Sequence, residues 1–238
     1  MKRFYKFVSL GDGKKGRSIL LDGKPVKTPA RNLLETPHLG LANAILQEWN
    51  RQGDKIMPSE MPLTQLLSTR IDRVGSERPA MTDALMKYLD TDLICYRAAL
   101  PPEIAGAQQA AWDPWLSWFE QEFGSVLETT TDLKALKQSA AAYEALLEYT
   151  EGLDDDRFTV LQVVTPLCGS VVLAAAFVQG ALSPSQAFAC ARVEENYKAG
   201  LYDEKTYGPD PAQEKKDKAE MADLEACAKF LDLLSAAD

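Results

Sequence analysis

At Thr36 the spacing of apolar residues changes from the period of strands to the period of helices, and that switch restricts the chain to an α+β fold with its strands in front. Before residue 35 the runs FYKFV (4–8), RSILLDG (17–23) and PVKTP (25–29) are short and are separated by glycine-rich turns, the pattern of antiparallel strands. Asp22-Gly23 is a hairpin signal, because both residues tolerate the positive φ of a tight turn. From Thr36 onward a cap, Pro37 in the first turn, and Leu39, Ala42, Leu46 and Trp49 at helical spacing predict a helix ending near Gly53.

After the connection MPSEMPL (57–63) nearly everything reads as helix, over about 62–75, 79–97, 104–123, 132–151, 156–180, 184–200 and 211–235. Ser183-Pro184 is a cap followed by proline at the first helical position. The last helix places Met221, Leu224, Ala228 and Leu231 on one face. The expected organisation is a small antiparallel β-rich N-terminal domain with one helix, residues 1–58, joined to a larger all-α C-terminal domain, residues 59–238.

The 238 residues are enough to bury a real core. A formal net charge of -9 argues against a nucleic-acid partner, which would need a basic face to neutralise phosphates, but leaves protein partners open. Cysteines 95, 168, 190 and 227 form no CxxC pair, and His38 is the single histidine, so a structural zinc site is not expected. The thiols read as reduced core residues of an intracellular protein. The apolar run Val163–Val178 is sixteen residues, short of the roughly twenty of a membrane span, and reads as a buried helix. MKRFYKFVSLGDG lacks the apolar run of a signal peptide, so the expected location is the bacterial cytoplasm, or the mitochondrial matrix for a chain that has lost its presequence. Nothing suggests a symmetric assembly, and a monomer is expected.

Several stretches suggest chemistry. GDGKKGRS (11–18) is one residue from a phosphate-binding loop, with Arg17 where that pattern has lysine. Such a loop works by entering a helix whose free N–H groups face the anion. Here ILLDG follows, a strand and a turn, so a basic hairpin turn is the expectation. Cys95 in YLDTDLICYRA (88–98) has no base close in sequence and is expected to be structural. Asp154-Asp155-Asp156 suits the capping of a helix N-terminus. Asp90 and Asp92 could form a turn or hold Arg97. Trp112, Trp115 and Trp118, three apart on one helix, read as core. Trp49 lies among Glu48, Asn50 and Arg51, and reads equally as a hot spot for a partner or as an anchor between domains. Glu194 and Glu195 open the acidic, aromatic stretch VEENYKAGLYDEKTYG (193–208).

The series RFYKFVSL, LLDGKPVKTPARNLL, LANAILQEWNRQGDKIMPSEMPLTQL, YLDTDLICYRA, WDPWLSW and LCGSVVLAAAF, with GALSPSQAF and ARVEENY, resembles one family from about residue 3 to 200. That family is the assembly chaperone of F-type ATP synthase that binds the α subunit of the catalytic sector, also called assembly factor 2. LDGKPVKTP, EWNRQ with MPLT, and TDLICYR carry the resemblance in combination. It implies a non-enzymatic chaperone with a β-rich N-terminal and a helical C-terminal domain, which holds newly made α subunit until α pairs with β and needs no cofactor or metal. It implies partner-binding roles for Trp49 and for the glutamate of VEENYK, which is Glu194 or Glu195. After Tyr197 the chain departs from the family, with Lys198 for Gln and either Tyr202-Asp203 or Tyr207-Gly208 for Trp-Gly. The competing reading is an enzyme of unknown type, using an acidic cluster near Glu194 and Asp203 in a deep polar cleft with perturbed carboxylates.

Overall fold

A computed structural model describes residues 1–132, 134–201 and 211–235. The order is strands β1 (Val8–Gly13), β2 (Gly16–Leu21), β3 (Lys24–Pro25) and β4 (Glu35–Thr36), then helices α1 (Leu39–Asn50), α2 (Pro62–Thr69), α3 (Gly75–Tyr88), α4 (Pro102–Phe123), α5 (Ala140–Gly152), α6 (Asp155–Cys168), α7 (Val171–Val178), α8 (Pro184–Ala191), α9 (Val193–Leu201) and α10 (Pro211–Ser235). The α+β class is as expected: a small antiparallel sheet, then helices. The chain divides into two compact units, one of Met1–Arg78, Asp154–Val160 and Ala226–Asp238, the other of Pro79–Leu153 and Leu161–Glu225. Residue 58, the expected domain boundary, lies within the first unit. Among the described residues no helix is long and apolar enough to cross a membrane.

In the first unit, β1 and β2 pair antiparallel from Val8 opposite Leu21 to Gly13 opposite Gly16, leaving Lys14-Lys15 as a two-residue turn. GDGKKGRS is thus the end of one hairpin and not a strand-to-helix loop. Its glycines serve close packing. A Cβ on Gly16, where φ is 128°, would collide with the Thr36 carbonyl oxygen and with the backbone of Pro37. A Cβ on Gly13 would meet the Glu35 carboxylate. Gly16→Ala is therefore expected to lower stability by about 2 kcal/mol, through left-handed backbone strain and displacement of β4; urea unfolding measures it.

Asp22 and Gly23, with φ of 49° and 80°, make the tight turn from β2 to β3 that the Asp-Gly pair predicted. The Asp22 carboxylate accepts from the backbone N–H groups of Lys6 (3.0 Å) and Phe7 (2.9 Å), and these bonds hold its carboxyl below the ordinary range. They also explain why FYKFV is not a strand. The N–H groups of Lys6 and Phe7 are taken by a side chain, and that of Arg3, just before the run, by the Asp54 carbonyl (2.9 Å). Ile19, Leu34, Leu41 and Ile45 form the fully buried centre between sheet and α1. The buried stripe of α1 is Leu41, Ala42, Ile45 and Trp49, whereas Leu39 is exposed.

A π-helical turn, Arg70–Val74, joins α2 to α3. It precedes Pro79, whose missing N–H and ring do not fit a regular ladder. Asp154 accepts from the Arg157 N–H (2.7 Å) at the start of α6, as the capping expectation required, while Asp155 and Asp156 pair with Arg78 (2.7 Å) and Arg70 (3.4 Å).

In the second unit, every residue of α7 is buried, the signature of a central helix. The expected helix 156–180 is broken at Gly169, where φ is 62°, and restarts at Ser170, whose side chain caps α7. Asp92 completes that end. Fully buried, it accepts from Ile94 N–H and Val172 N–H (both 3.2 Å), so it holds the helix start and not Arg97. Arg97 instead pairs with Asp113 at 2.9 Å. The expected helix 184–200 breaks at Arg192, after a full capping box of Ser183 and Gln186. The expected helix 132–151 begins only at Ala140, capped by Ser139, because the N–H groups of Leu136 and Gln138 donate instead to the Tyr96 hydroxyl and the Asp90 carboxylate, both at 2.9 Å. The expected helix 79–97 ends at Tyr88 and gives way to two short 3-10 turns. Trp112 is fully buried and donates to the Cys190 carbonyl at 2.8 Å. Trp115 and Trp118 are half-buried, since a three-residue step drifts around a 3.6-residue helix. On α10 the buried residues are Leu224, Ala226, Cys227, Phe230 and Leu234; Met221, Ala228 and Leu231 of the expected stripe are only partly covered.

Candidate functional site

The segment EWNRQ closes α1, and three of its side chains have separate tasks. The Glu48 carboxylate accepts from Leu63 N–H and Thr64 N–H, both at 2.8 Å, and from the Thr64 hydroxyl at 2.6 Å. It therefore caps α2, whose N-terminal N–H groups have no partner within the helix. Burial pushes its carboxyl up, against those three hydrogen bonds. Gln52, buried, accepts from Met57 N–H (2.7 Å) and donates to the Glu48 carbonyl (3.2 Å), which fixes the loop after the helix. Between them sits Trp49, 9% exposed, packed on Tyr5 with ring centroids 5.7 Å apart. The Tyr5 hydroxyl donates to the Trp49 carbonyl at 2.6 Å.

Trp49 lines a pocket of about 760 Å³ in the first unit, whose apolar wall includes Val26, Leu34, Ile56 and Met61. The buried indole Nε1–H has no hydrogen-bond partner among the described residues. Leaving such a donor unpaired costs about 1–3 kcal/mol, and few native groups are left so. One rim is the Thr28–Asn32 loop, held by Asp72 of the π-helical turn. The Asp72 carboxylate accepts from the Thr28 hydroxyl (2.5 Å), Ala30 N–H (2.9 Å) and Asn32 Nδ2 (2.9 Å). Burial raises its carboxyl, but these bonds outweigh that and hold it below the ordinary value. The same unit exposes large apolar side chains: Phe4 and Phe7 are 64% and 74% exposed, and Met1 and Met57 are also exposed.

The two candidate glutamates lie in the second unit, in the first turn of α9. They differ. Glu194 is half-buried and accepts from Gln108 Nε2 at 3.0 Å, while Gln108, fully buried, accepts from Ala98 N–H at 2.7 Å. Glu195 is exposed. Just before them Arg192, its side chain 5% exposed, pairs with Asp217 at 2.7 Å and with Glu220, tying the start of α9 to α10. Glu194→Ala is expected to cost about 1 kcal/mol by stranding the Gln108 amide, and Glu195→Ala to change stability by less than about 0.5 kcal/mol. Thermal unfolding of the two variants separates them. Asp203, Tyr202, Tyr207 and Gly208 lie outside the described residues.

Cys95 is fully buried, and burial with the neighbouring Asp92 pushes its thiol well up, so it is not an activated nucleophile. All four cysteines are buried and none is disulfide-bonded.

The model of the ATP12 chaperone protein family matches residues 2–120. Two solved structures overlay nearly the whole chain. Atp12 from Paracoccus denitrificans is 29% identical, with a TM-score of 0.86 over 98% of this chain and 97% of its own. A candidate chaperone from Agrobacterium tumefaciens is 30% identical, with a TM-score of 0.88 over 98% of this chain and 86% of its own. The chain belongs to the ATP12 chaperone family.

The segments that carried the resemblance now have physical reasons in this ATP12 family member. LDGKPVKTP is the β2–β3 turn together with Val26, Lys27 and Pro29 of the pocket. EWNRQ and MPLT meet where Glu48 caps α2. TDLICYR supplies Asp92, the cap of α7, and Arg97, which pairs with Asp113. The residues missed from sequence are the exposed phenyl rings and the pocket wall. Phe4 and Phe7 were hidden inside a run read as strand. Val26 and Met61 are brought together by tertiary packing that no local pattern encodes.

Proposed function

We propose that the chain is a chaperone for assembly of the F-type ATP synthase catalytic sector, which holds the free α subunit until α pairs with β. The observation that carries this reading is membership of the ATP12 chaperone family together with overlap of the fold along 98% of the chain. The physical logic is that an unpaired subunit face is apolar and prone to non-specific association. A holder covers it with a few apolar anchors and a polar rim, which gives specific yet displaceable binding. Phe4, Phe7 and the Trp49 pocket are the anchors assigned to the first unit. Glu195, and with it Glu194, is assigned to a basic group of α that later meets β. The holder is passive and non-enzymatic, and β displaces it without nucleotide hydrolysis. Its compartment is the one where free α accumulates, the bacterial cytoplasm or the mitochondrial matrix.

Co-expression with the α and β subunits followed by pull-down on the chaperone tests this. Recovery of α without β is expected. Recovery of β without α, or of neither, would contradict the proposal.

A further inference from the structure

We propose that the Trp49 pocket is the insertion site for a bulky apolar side chain of the client, carried on a segment flanked by carboxylates; this deepens the chaperone reading and rests on it. The first observation is the pocket itself, about 760 Å³, with Trp49, Ile56, Met61, Val26 and Leu34 in its wall. That volume is within the usual range for a formed binding pocket. The second is independent of shape. The Trp49 Nε1–H is a donor on a side chain more than nine-tenths buried in that wall, and it has no acceptor among the described residues. That nitrogen is closed to solvent in the free chain, so a carbonyl or carboxylate of the client would pair with it as the indole shifts on insertion.

The third observation is charge. The unit that holds the pocket carries 16 Lys and Arg against 13 Asp and Glu, while the rest of the chain carries 10 against 22. Exposed basic side chains outnumber acidic ones at the pocket, where Glu60 and Glu77 are the exposed carboxylates among the lining residues and their sequence neighbours. Lys27 lines it, and Lys2, Arg31 and Lys55 are each adjacent in sequence to a lining residue; all four are exposed. The lining carboxylates are already engaged, Asp72 by the Thr28–Asn32 loop and Glu77 by Arg73 at 3.3 Å. The net field around the opening therefore favours an acidic partner segment, which would be steered toward it and held at its flanks. A tryptophan ringed by such contacts is the usual composition of a hot spot.

The test is the affinity of the purified α subunit for the full chain and two variants, at low and high salt, with melting temperature and size-exclusion profile recorded alongside. Ala30→Trp fills the pocket from an exposed rim position. Lys27→Glu with Lys55→Glu reverses charge at two exposed positions. The expected results are a tenfold or greater loss of affinity for Ala30→Trp with an unchanged melting temperature. The double reversal should cause a similar loss that shrinks at high salt. If the unaltered chain does not bind α, the chaperone reading fails and this proposal falls with it. If it binds α and both variants bind equally well, the pocket assignment alone is wrong. If either variant instead converts a dimer to a monomer while α binding is retained, the pocket serves a second copy of the chain and the proposal is overturned.

Discussion

Replacing Trp49 by alanine is expected to destabilise the first unit by about 3–5 kcal/mol, the range for removing a large buried aromatic ring. The ring is 9% exposed and lies against Tyr5, so little of its area would be recovered from solvent. It is also a wall of the apolar pocket, and its loss would join that space to the cavity left behind. A weakened capture of client by this variant alone would therefore be ambiguous. Trp49→Phe resolves the ambiguity, because it keeps most of the packing and removes the unpartnered donor. Its stability is expected to change by less than about 2 kcal/mol, while client affinity falls severalfold. Chemical denaturation of both variants, paired with α-subunit binding, provides the two readouts. A Trp49→Ala protein as stable as the parent would refute the packing described for α1.

The second large effect is expected at Asp92. Asp92→Ala strands the N–H groups of Ile94 and Val172 in a site closed to solvent. At about 1–3 kcal/mol for each buried group left unpaired, the expected loss is about 3 kcal/mol at neutral pH. For a chain of this size that is about 6–12 °C in melting temperature. The pH dependence is distinctive. Burial outweighs the hydrogen bonds and pushes the Asp92 carboxyl up to about 6, above the roughly 3.9 of an unfolded chain. The folded state thus binds this proton more tightly than the unfolded state. The contribution is fully present at pH values below the unfolded pKa and is lost as pH rises through about 6. The gap in stability between parent and Asp92→Ala should be about 1 kcal/mol wider at pH 5 than at pH 7. Unfolding titrations at the two pH values measure this, and a gap that widens as pH rises would contradict the burial of Asp92.

Where local chemistry decides conformation, the fold was legible from the residues. Asp22-Gly23 required a positive-φ turn and makes one. Ser183, Pro184 and Gln186 form the capping box their order implies. GDGKKGRS was correctly separated from a phosphate loop by the strand that follows it. The reason for its glycines was not legible, since β4 lies against Gly13 and Gly16 only in three dimensions. Helix breaks at Gly169 and Arg192 were missed for a related reason. One depends on a left-handed glycine followed by Ser170 and Asp92 as caps, the other on a buried arginine paired with acids on α10. Of the candidate site, the residue identities were accessible and their environments were not. Polar and charged neighbours at 48, 50 and 51 say nothing about a ring that turns inward onto Tyr5. Glu194 and Glu195 are equivalent in sequence, yet one is bonded to Gln108 and the other faces solvent.

The role proposed for this chain is to hold the free α subunit. Light scattering of purified α subunit, alone and with increasing amounts of the chain, tests it most directly when nucleotide is absent. The account predicts that aggregation is suppressed at about one chain per α, and that adding β releases the chain into the free pool. Aggregation of α at an unchanged rate across that titration would contradict it.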